Sequence, residues 1–211
     1  MEVEPERLGG WVERFRARHG ELVTRPAGGD VTIAAPDGAT ATLMPPWPAS
    51  LPPGPGQAGP MEQLLAEVQR PRTVGLLLVR RGGYAVGVAG GGSLVASKVG
   101  SRYVQGTTKA GGWSQQRYAR RREAQARAAF GAAAETAARI LLPAAPDLEG
   151  LVTGGDRAAV RSVLDDARLQ RLAALPQGRF LAVPDPRLRV LEDAVRRSRA
   201  VLVDVYDPTF G

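Results

Sequence analysis

Residues 73 to 100 read TVGLLLVRRGGYAVGVAGGGSLVASKVG. Three apolar runs, TVGLLLVRR, GYAVGVAG and GSLVASKVG, are separated by glycines at Gly82-Gly83 and Gly90-Gly91-Gly92. Short apolar runs bounded by turn residues predict three consecutive strands folded back on one another as a meander. The glycines of GGYAVGVAGGG, 82 to 92, also invite a dinucleotide-binding reading. That reading fails on spacing, on the lack of a following βαβ unit and on the missing acidic residue, which leaves hairpin turns.

After a loop over 100 to 113, Ser114 to Leu142 is rich in alanine and free of proline until Pro143. Ala119, Ala126, Phe130, Ala133, Ala137 and Leu141 recur there at helical spacing. A helix of this length runs roughly 40 Å, long enough for its first turns to reach beyond a core. The C-terminal third then alternates: GLVTGG as strand, DRAAVRSVLDD as helix, GRFLAV as strand and DPRLRVLEDAVRRSRAVLVDV as helix. The expected fold class is therefore α/β (α+β), a mixed sheet with flanking helices, and its topology resembles the ribonuclease H-like fold.

Upstream, ERLGGWVERFRARH, 6 to 19, predicts a helix that buries Leu8, Trp11, Val12 and Phe15. VTIAAPDGATATLM predicts two short strands turned at Pro36-Asp37-Gly38. The proline-rich stretch 45 to 60 fits neither helix nor central strand and reads as an extended connector, with Trp47 packed onto the body. MEQLLAEVQ, 61 to 69, reads as a short amphipathic helix. The expected division is a small helix-plus-hairpin elaboration with its connector over 1–60 and the main domain over 61–211.

Composition removes many chemistries. With no cysteine, disulfides, thiolate zinc sites and cysteine nucleophiles are excluded. One histidine, His19, leaves histidine triads and multi-histidine metal sites without parts; a place at a helix C-terminus or on the surface suits it, and no role is assigned. Nucleases of the ribonuclease H-like architecture hold two divalent metals with strand carboxylates, yet the meander carries no acid at all. Asp165, Asp166, Asp204 and Asp207 remain, with Asp166 reading as a solvated helix end and Asp207 as part of an Asp-Pro tail turn. No metal and no cofactor is expected. No run has the length of a bilayer span, and the acidic start MEVEPERLGG does not read as a signal peptide, so a cytoplasmic location away from membranes is expected.

The formal charge of +7 is unevenly placed. From Val68 to Arg122 there is no acid, while Arg70, Arg72, Arg80, Arg81, Lys98, Arg102, Lys109, Arg117, Arg120, Arg121 and Arg122 supply eleven cations. The remainder holds 17 basic against 21 acidic residues, a net −4, so the basic excess belongs to one segment. That polarity points to a polyanion, RNA or DNA.

The segment concentrates in KAGGWSQQRYARRR, 109 to 122. Gly111-Gly112 permits backbone angles closed to other residues, Ser114 is a good N-cap, and Gln115 and Gln116 fall at the transition from loop to helix. Where a capping box would want Glu, the chain has Arg117, at the positive end of a helix dipole. Read from the residues alone, a phosphate-binding helix start and a plain glycine turn with a solvated arginine face stand level.

GGWSQQRYARRREAQ resembles the catalytic loop and following helix of eukaryotic and archaeal class 1 peptide-chain release factors. Their pattern is Gly-Gly-Gln-Ser, then Arg, an aromatic, Ala, Arg, and another Arg two places on. Gly111, Gly112, Ser114, Arg117, Tyr118, Ala119, Arg120 and Arg122 fit it position for position, but the catalytic glutamine of that pattern falls on Trp113. Glutamine displaced to Gln115 and Gln116 is similar to the Vms-like release factor branch, in its actinobacterial form. The resemblance implies hydrolysis of the ester joining a nascent peptide to tRNA on large ribosomal subunits left after stalled translation. Gln115, or secondarily Gln116, would position water and stabilise developing charge. Gly111 and Gly112 would let the loop enter the peptidyl-transferase centre. Arg102, Lys109, Arg117, Arg120, Arg121 and Arg122, with Ser114, would hold ribosomal RNA or the tRNA acceptor end, and Trp113 would stack on a base. The implied partners are the large subunit, its RNA and peptidyl-tRNA, with recruitment to the ribosome coming from the chain itself or from an unidentified protein. Two competing readings use the same loop: a non-catalytic ribosome-binding or hibernation factor, and a ribonuclease that cuts the tRNA acceptor end.

Overall fold

The computed structural model describes residues 1–47, 59–101 and 113–208; over 113–127 it describes the backbone alone. In chain order the elements are β1 (Glu2–Val3), α1 (Pro5–His19), β2 (Val23–Ala27), β3 (Asp30–Ala34), β4 (Thr40–Met44), α2 (Pro60–Gln69), β5 (Thr73–Arg80), β6 (Gly83–Gly90) and β7 (Ser93–Ser101). Then come α3 (Trp113–Ala144), β8 (Gly150–Gly155), α4 (Arg157–Leu164), a 3-10 turn (Ala167–Leu169), α5 (Gln170–Ala173), α6 (Leu188–Arg197) and β9 (Val201–Tyr206). They divide into two units, Met1–Pro71 with Arg196–Gly211, and Arg72–Val195.

In the first unit, α1 starts with Pro5 in its first turn, carries Glu6 near its N-terminus and Arg16, Arg18 and His19 near its C-terminus, and so complements its own dipole. Leu8, Val12 and Phe15 are buried as their spacing predicts, while Trp11 is half-buried and stacks on Phe15 at 5.4 Å between ring centroids. The expected hairpin forms: Val31 and Ile33 on β3 and Ala41 and Leu43 on β4 face the core, alternating with half-buried threonines. Its turn is held by the Asp37 carboxylate, which accepts the Ala39 N–H at 3.0 Å, and by Gly38 at φ +89°. Trp47 is buried.

This unit is larger than a helix and a hairpin. Its sheet has five strands in the order β1-β9-β4-β3-β2. The C-terminal β9 lies between β1 and β4, with Val203 opposite Leu43 and Val201 opposite Val3. The expectation of helix through residue 205 is thereby corrected: α6 stops at Arg197 and residues 201–206 are strand. Val201, Val203 and Val205 alternate with Leu202, Asp204 and Tyr206, and β-branched side chains that lose rotamer freedom in a helix pack well on a pleated surface. Leu64 and Val68 of α2 join Ile33, Leu43, Val201 and Val203 in one core. The division observed thus falls after Pro71 and takes in the C-terminal tail, whereas the sequence suggested a cut at residue 60.

The second unit carries the predicted meander. Its sheet order is β7-β6-β5-β8, with β5, β6 and β7 antiparallel in sequence and β8 parallel to β5. The turn between β6 and β7 has Gly91 at φ +57° and Gly92 at φ +86°, the left-handed pair that a tight two-residue hairpin needs. The strand expected over GRFLAV, 178–183, is reduced to isolated parallel bridges beside β8, Leu151 to Gln177 and Gly154 to Leu181. This is the strand order of a ribonuclease H-like sheet, and the chain as a whole is mixed α+β with two sheets. On one face of the second sheet, Leu77, Val79, Val86 and Val88 pack against Ala133, Ala137 and Leu141 of α3 and Val160 and Val163 of α4. On the other face, Leu191 of α6 fills the space above Gly87, 3.1 Å from where a β-carbon would stand.

Candidate functional site

Helix α3 is 32 residues long, about 48 Å at the standard rise. Its described side chains are those from Ala128 onward, and there the buried set is Ala129, Ala133, Ala134, Thr136, Ala137 and Leu141. Burying one leucine of this kind stabilises by about 2 kcal/mol, so the C-terminal half anchors the helix to β6 and α4. From Ala129 back to Trp113 the helix extends about 24 Å.

Of the candidate residues, Arg102, Lys109, Gly111 and Gly112 lie outside the described residues. Trp113, Ser114, Gln115, Gln116, Arg117, Arg120, Arg121 and Arg122 lie on the first turns of α3. The helix begins at Trp113, so Ser114 falls inside the first turn and not at the cap, and Gln115 and Gln116 are the third and fourth helical residues. Helix geometry leaves the N–H groups of Trp113, Ser114 and Gln115 without an acceptor four residues back in the helix, which makes this end electropositive.

The described cations of the acid-free run divide in two. Arg70 pairs with Glu67 at 3.8 Å and Arg72 with Glu149 at 3.3 Å. Arg80 pairs with Asp185 at 3.7 Å and donates to the Val183 carbonyl at 2.9 Å. These three have acidic partners within the fold, with the Arg70 and Arg80 side chains still 45% exposed. Arg81 and Lys98 are exposed. The remaining cations of the run all lie between Arg102 and Arg122, so the charge in question is narrower than composition suggests.

The acids and the histidine set aside as sites are occupied in other ways. His19 is at the α1 C-terminus as expected but is buried, not on the surface: its Nδ1 is 2.8 Å from Asp37 Oδ2, and its ring lies 4.5 Å from that of Phe15. The Ala39 N–H, and then His19, hold the Asp37 carboxyl below its ordinary value. Asp207 faces Arg18 at 3.7 Å. Asp166 accepts the Arg168 backbone N–H at 3.0 Å and the Arg168 guanidinium at 3.0 and 2.8 Å, which lowers its pKa to about 2. Among the described residues no group of three or more His, Cys, Asp or Glu is placed to hold a metal ion. Among them also, no helix is long and apolar enough to cross a membrane.

Three residues that sequence reasoning passed over link β6, β7 and α3. The Tyr84 hydroxyl on β6 is 3.0 Å from Thr136 Oγ1 on α3, and Tyr84 stands opposite Gly100, the penultimate residue of β7. An aromatic in an apolar strand beside a glycine-ended neighbour was the available signal.

No functionally curated protein matches the chain. Among solved structures, it is similar to the archaeal translation termination factor aRF1, at 18% identity and a TM-score of 0.44, covering 90% of this chain and 52% of that one. It is similar also to a structure described only as an archaeal protein, at 17% identity and a TM-score of 0.40, covering 79% of this chain and 52% of that one. The chain thus spans about half the length of these two structures. The model of the Actinobacteria/chloroflexi VLRF1 release factor family matches residues 72–204, from the start of the meander unit through the acid-free run and α3 into β9, and the chain belongs to that family.

Proposed function

We propose that the protein is a peptidyl-tRNA hydrolase that frees nascent chains from tRNA on large ribosomal subunits stranded by stalled translation. The observation that carries this reading is the release factor family match, which runs through Gly111-Gly112 and the head of α3. In the proposed step, water attacks the ester carbonyl carbon, the bond to the terminal ribose oxygen breaks, and the proton released passes to that oxygen. A glutamine orients the water, and an N–H at an electropositive helix start stabilises the oxyanion. Gln115 is assigned this role first and Gln116 second, with Gly111 and Gly112 giving the backbone its freedom to approach. Arg102, Lys109, Arg117, Arg120, Arg121, Arg122 and Ser114 are assigned to RNA phosphates and Trp113 to base stacking. The partners proposed are the large subunit, its RNA and peptidyl-tRNA.

Incubating the protein with large subunits that carry labelled peptidyl-tRNA, and resolving the products on a gel, tests this directly. The expected products are free peptide and full-length deacylated tRNA. Intact peptidyl-tRNA on bound subunits would instead mark an occupying factor, and shortened tRNA a ribonuclease.

A further inference from the structure

We infer that Tyr84 is a positioning residue for the release reaction, tying together the two elements between which residues 102–112 are strung. The inference rests on the release reading for its functional half and on geometry alone for the rest. The Tyr84 hydroxyl meets Thr136 Oγ1 at 3.0 Å, and Thr136 is buried at 4% exposure. The Tyr84 ring occupies the space over Gly100, where a β-carbon would fall 2.6 Å from Cε1. Gly100 is followed by Ser101, the last residue of β7, and the chain next enters a described element at Trp113. One side chain therefore touches β7 at the point where the chain leaves it and α3 in its anchored half.

The reason for a polar pin at this point lies in what surrounds it. From Ala129 to Ala137 the buried apolar side chains of α3 are alanines, Ala129, Ala133, Ala134 and Ala137, while the large buried one, Leu141, lies further toward the C-terminus. Small side chains allow close approach but present little relief, so with Leu141 as anchor a tilt of the N-terminal part of the helix changes the alanine packing only slightly. A directed hydrogen bond does not tolerate the same slide. From Thr136 to Trp113 the helix measures about 35 Å, so a tilt of about 3° displaces its first turn by about 2 Å. Displacements of that size cost on the order of a hundredfold in reactions that depend on placement. Gly100 is part of the device, because any side chain there would push the ring off Thr136.

The test uses Tyr84→Phe, which keeps the ring over Gly100 and removes the hydroxyl, with Thr136→Val and Thr136→Ser. The chain has no cysteine, so spin labels can be attached at Ser93→Cys and Ala128→Cys, both exposed positions. The distance distribution between the labels should broaden in Tyr84→Phe and Thr136→Val and return to the parent width in Thr136→Ser. Peptide release at saturating protein should fall about tenfold in the first two, with subunit affinity unchanged, and recover in Thr136→Ser. The double variant Tyr84→Phe/Thr136→Val should be no slower than either single one. An unchanged distance distribution, or release at the parent rate despite a lowered melting temperature, overturns the inference. A parent protein that releases no peptide while the distribution still broadens overturns the release reading and leaves the tether between β7 and α3 standing.

Discussion

Asp156 sits where β8 hands over to α4, and its carboxylate accepts the N–H groups of Ala158 at 2.9 Å and Ala159 at 3.2 Å. The preceding Gly155 is held at φ +100° with the Val79 carbonyl in the space a β-carbon would take, so the cap is delivered by a backbone conformation closed to other residues. Asp156→Ala should lower stability by about 1 kcal/mol in urea unfolding and leave release per folded molecule unchanged. Asp166 supplies a pH signature. Its folded pKa is about 2, held down first by the Arg168 guanidinium, and thus lies below the unfolded carboxyl value of about 4. The stabilisation is complete above the unfolded value and is lost as pH falls through the folded one. The stability gap between the parent and Asp166→Asn should be constant near neutrality and close between about pH 4 and 2, as urea midpoints at each pH would show. Both acids stood in a readable helical stretch of sequence, but that Asp156 caps α4 while Asp166 caps the following 3-10 turn and also binds the Arg168 guanidinium depends on turn geometry that spacing does not encode.

The meander and α3 were legible because each satisfies a local rule: apolar runs with glycine turns in one case, alanine and leucine at helical spacing without proline in the other. β9 was not. Leu188, Leu191, Ala194, Val195 and Ser198 carry a helical period toward Val201, with no glycine or proline between Arg197 and Val201. What makes 201–206 a strand is a pair of partners, β1 and β4, far away in the chain. β2, VTRPA, gave no signal because it is an edge strand whose residues are largely exposed and lack alternation. For α3, sequence reasoning took Ser114 for the cap, whereas the helix already includes Trp113 and Ser114. Arg117 and Arg121 are four residues apart on this helix, a repulsive spacing near a dipole end that disfavours cations. Arg117→Glu converts the pair to an attractive one and should raise stability by about 0.5 kcal/mol in thermal melts while weakening binding to large subunits. A loss of stability together with unchanged binding would deny these arginines an RNA role.

Two units with separate cores share the chain, and the family match covers the whole of the second, reaching the first through β9. The ribonuclease H-like strand order was legible because three antiparallel strands followed by an alternation of helix and strand admit few sheets. The unit boundary was not, since it depends on α2 and β9 returning to a core begun by α1 and the β3–β4 hairpin. The charge asymmetry was legible as a total, but two of its arginines, Arg72 and Arg80, turn out to pair with acids brought from distant segments, and Arg70 pairs locally with Glu67. What remains, beside the exposed Arg81 and Lys98, is cationic sequence between Arg102 and Arg122, around Gly111-Gly112 and Gln115-Gln116, in a chain of a release factor family. The account rests on one of those amides acting at an ester. The measurement that bears on it most directly is single-turnover peptide release from large subunits by the parent and by Gln115→Ala, at protein concentrations that saturate binding. The account predicts full-length deacylated tRNA from the parent and a fall of about a hundredfold or more for Gln115→Ala with subunit binding intact. Release at the parent rate from Gln115→Ala and from Gln115→Ala/Gln116→Ala alike would contradict it.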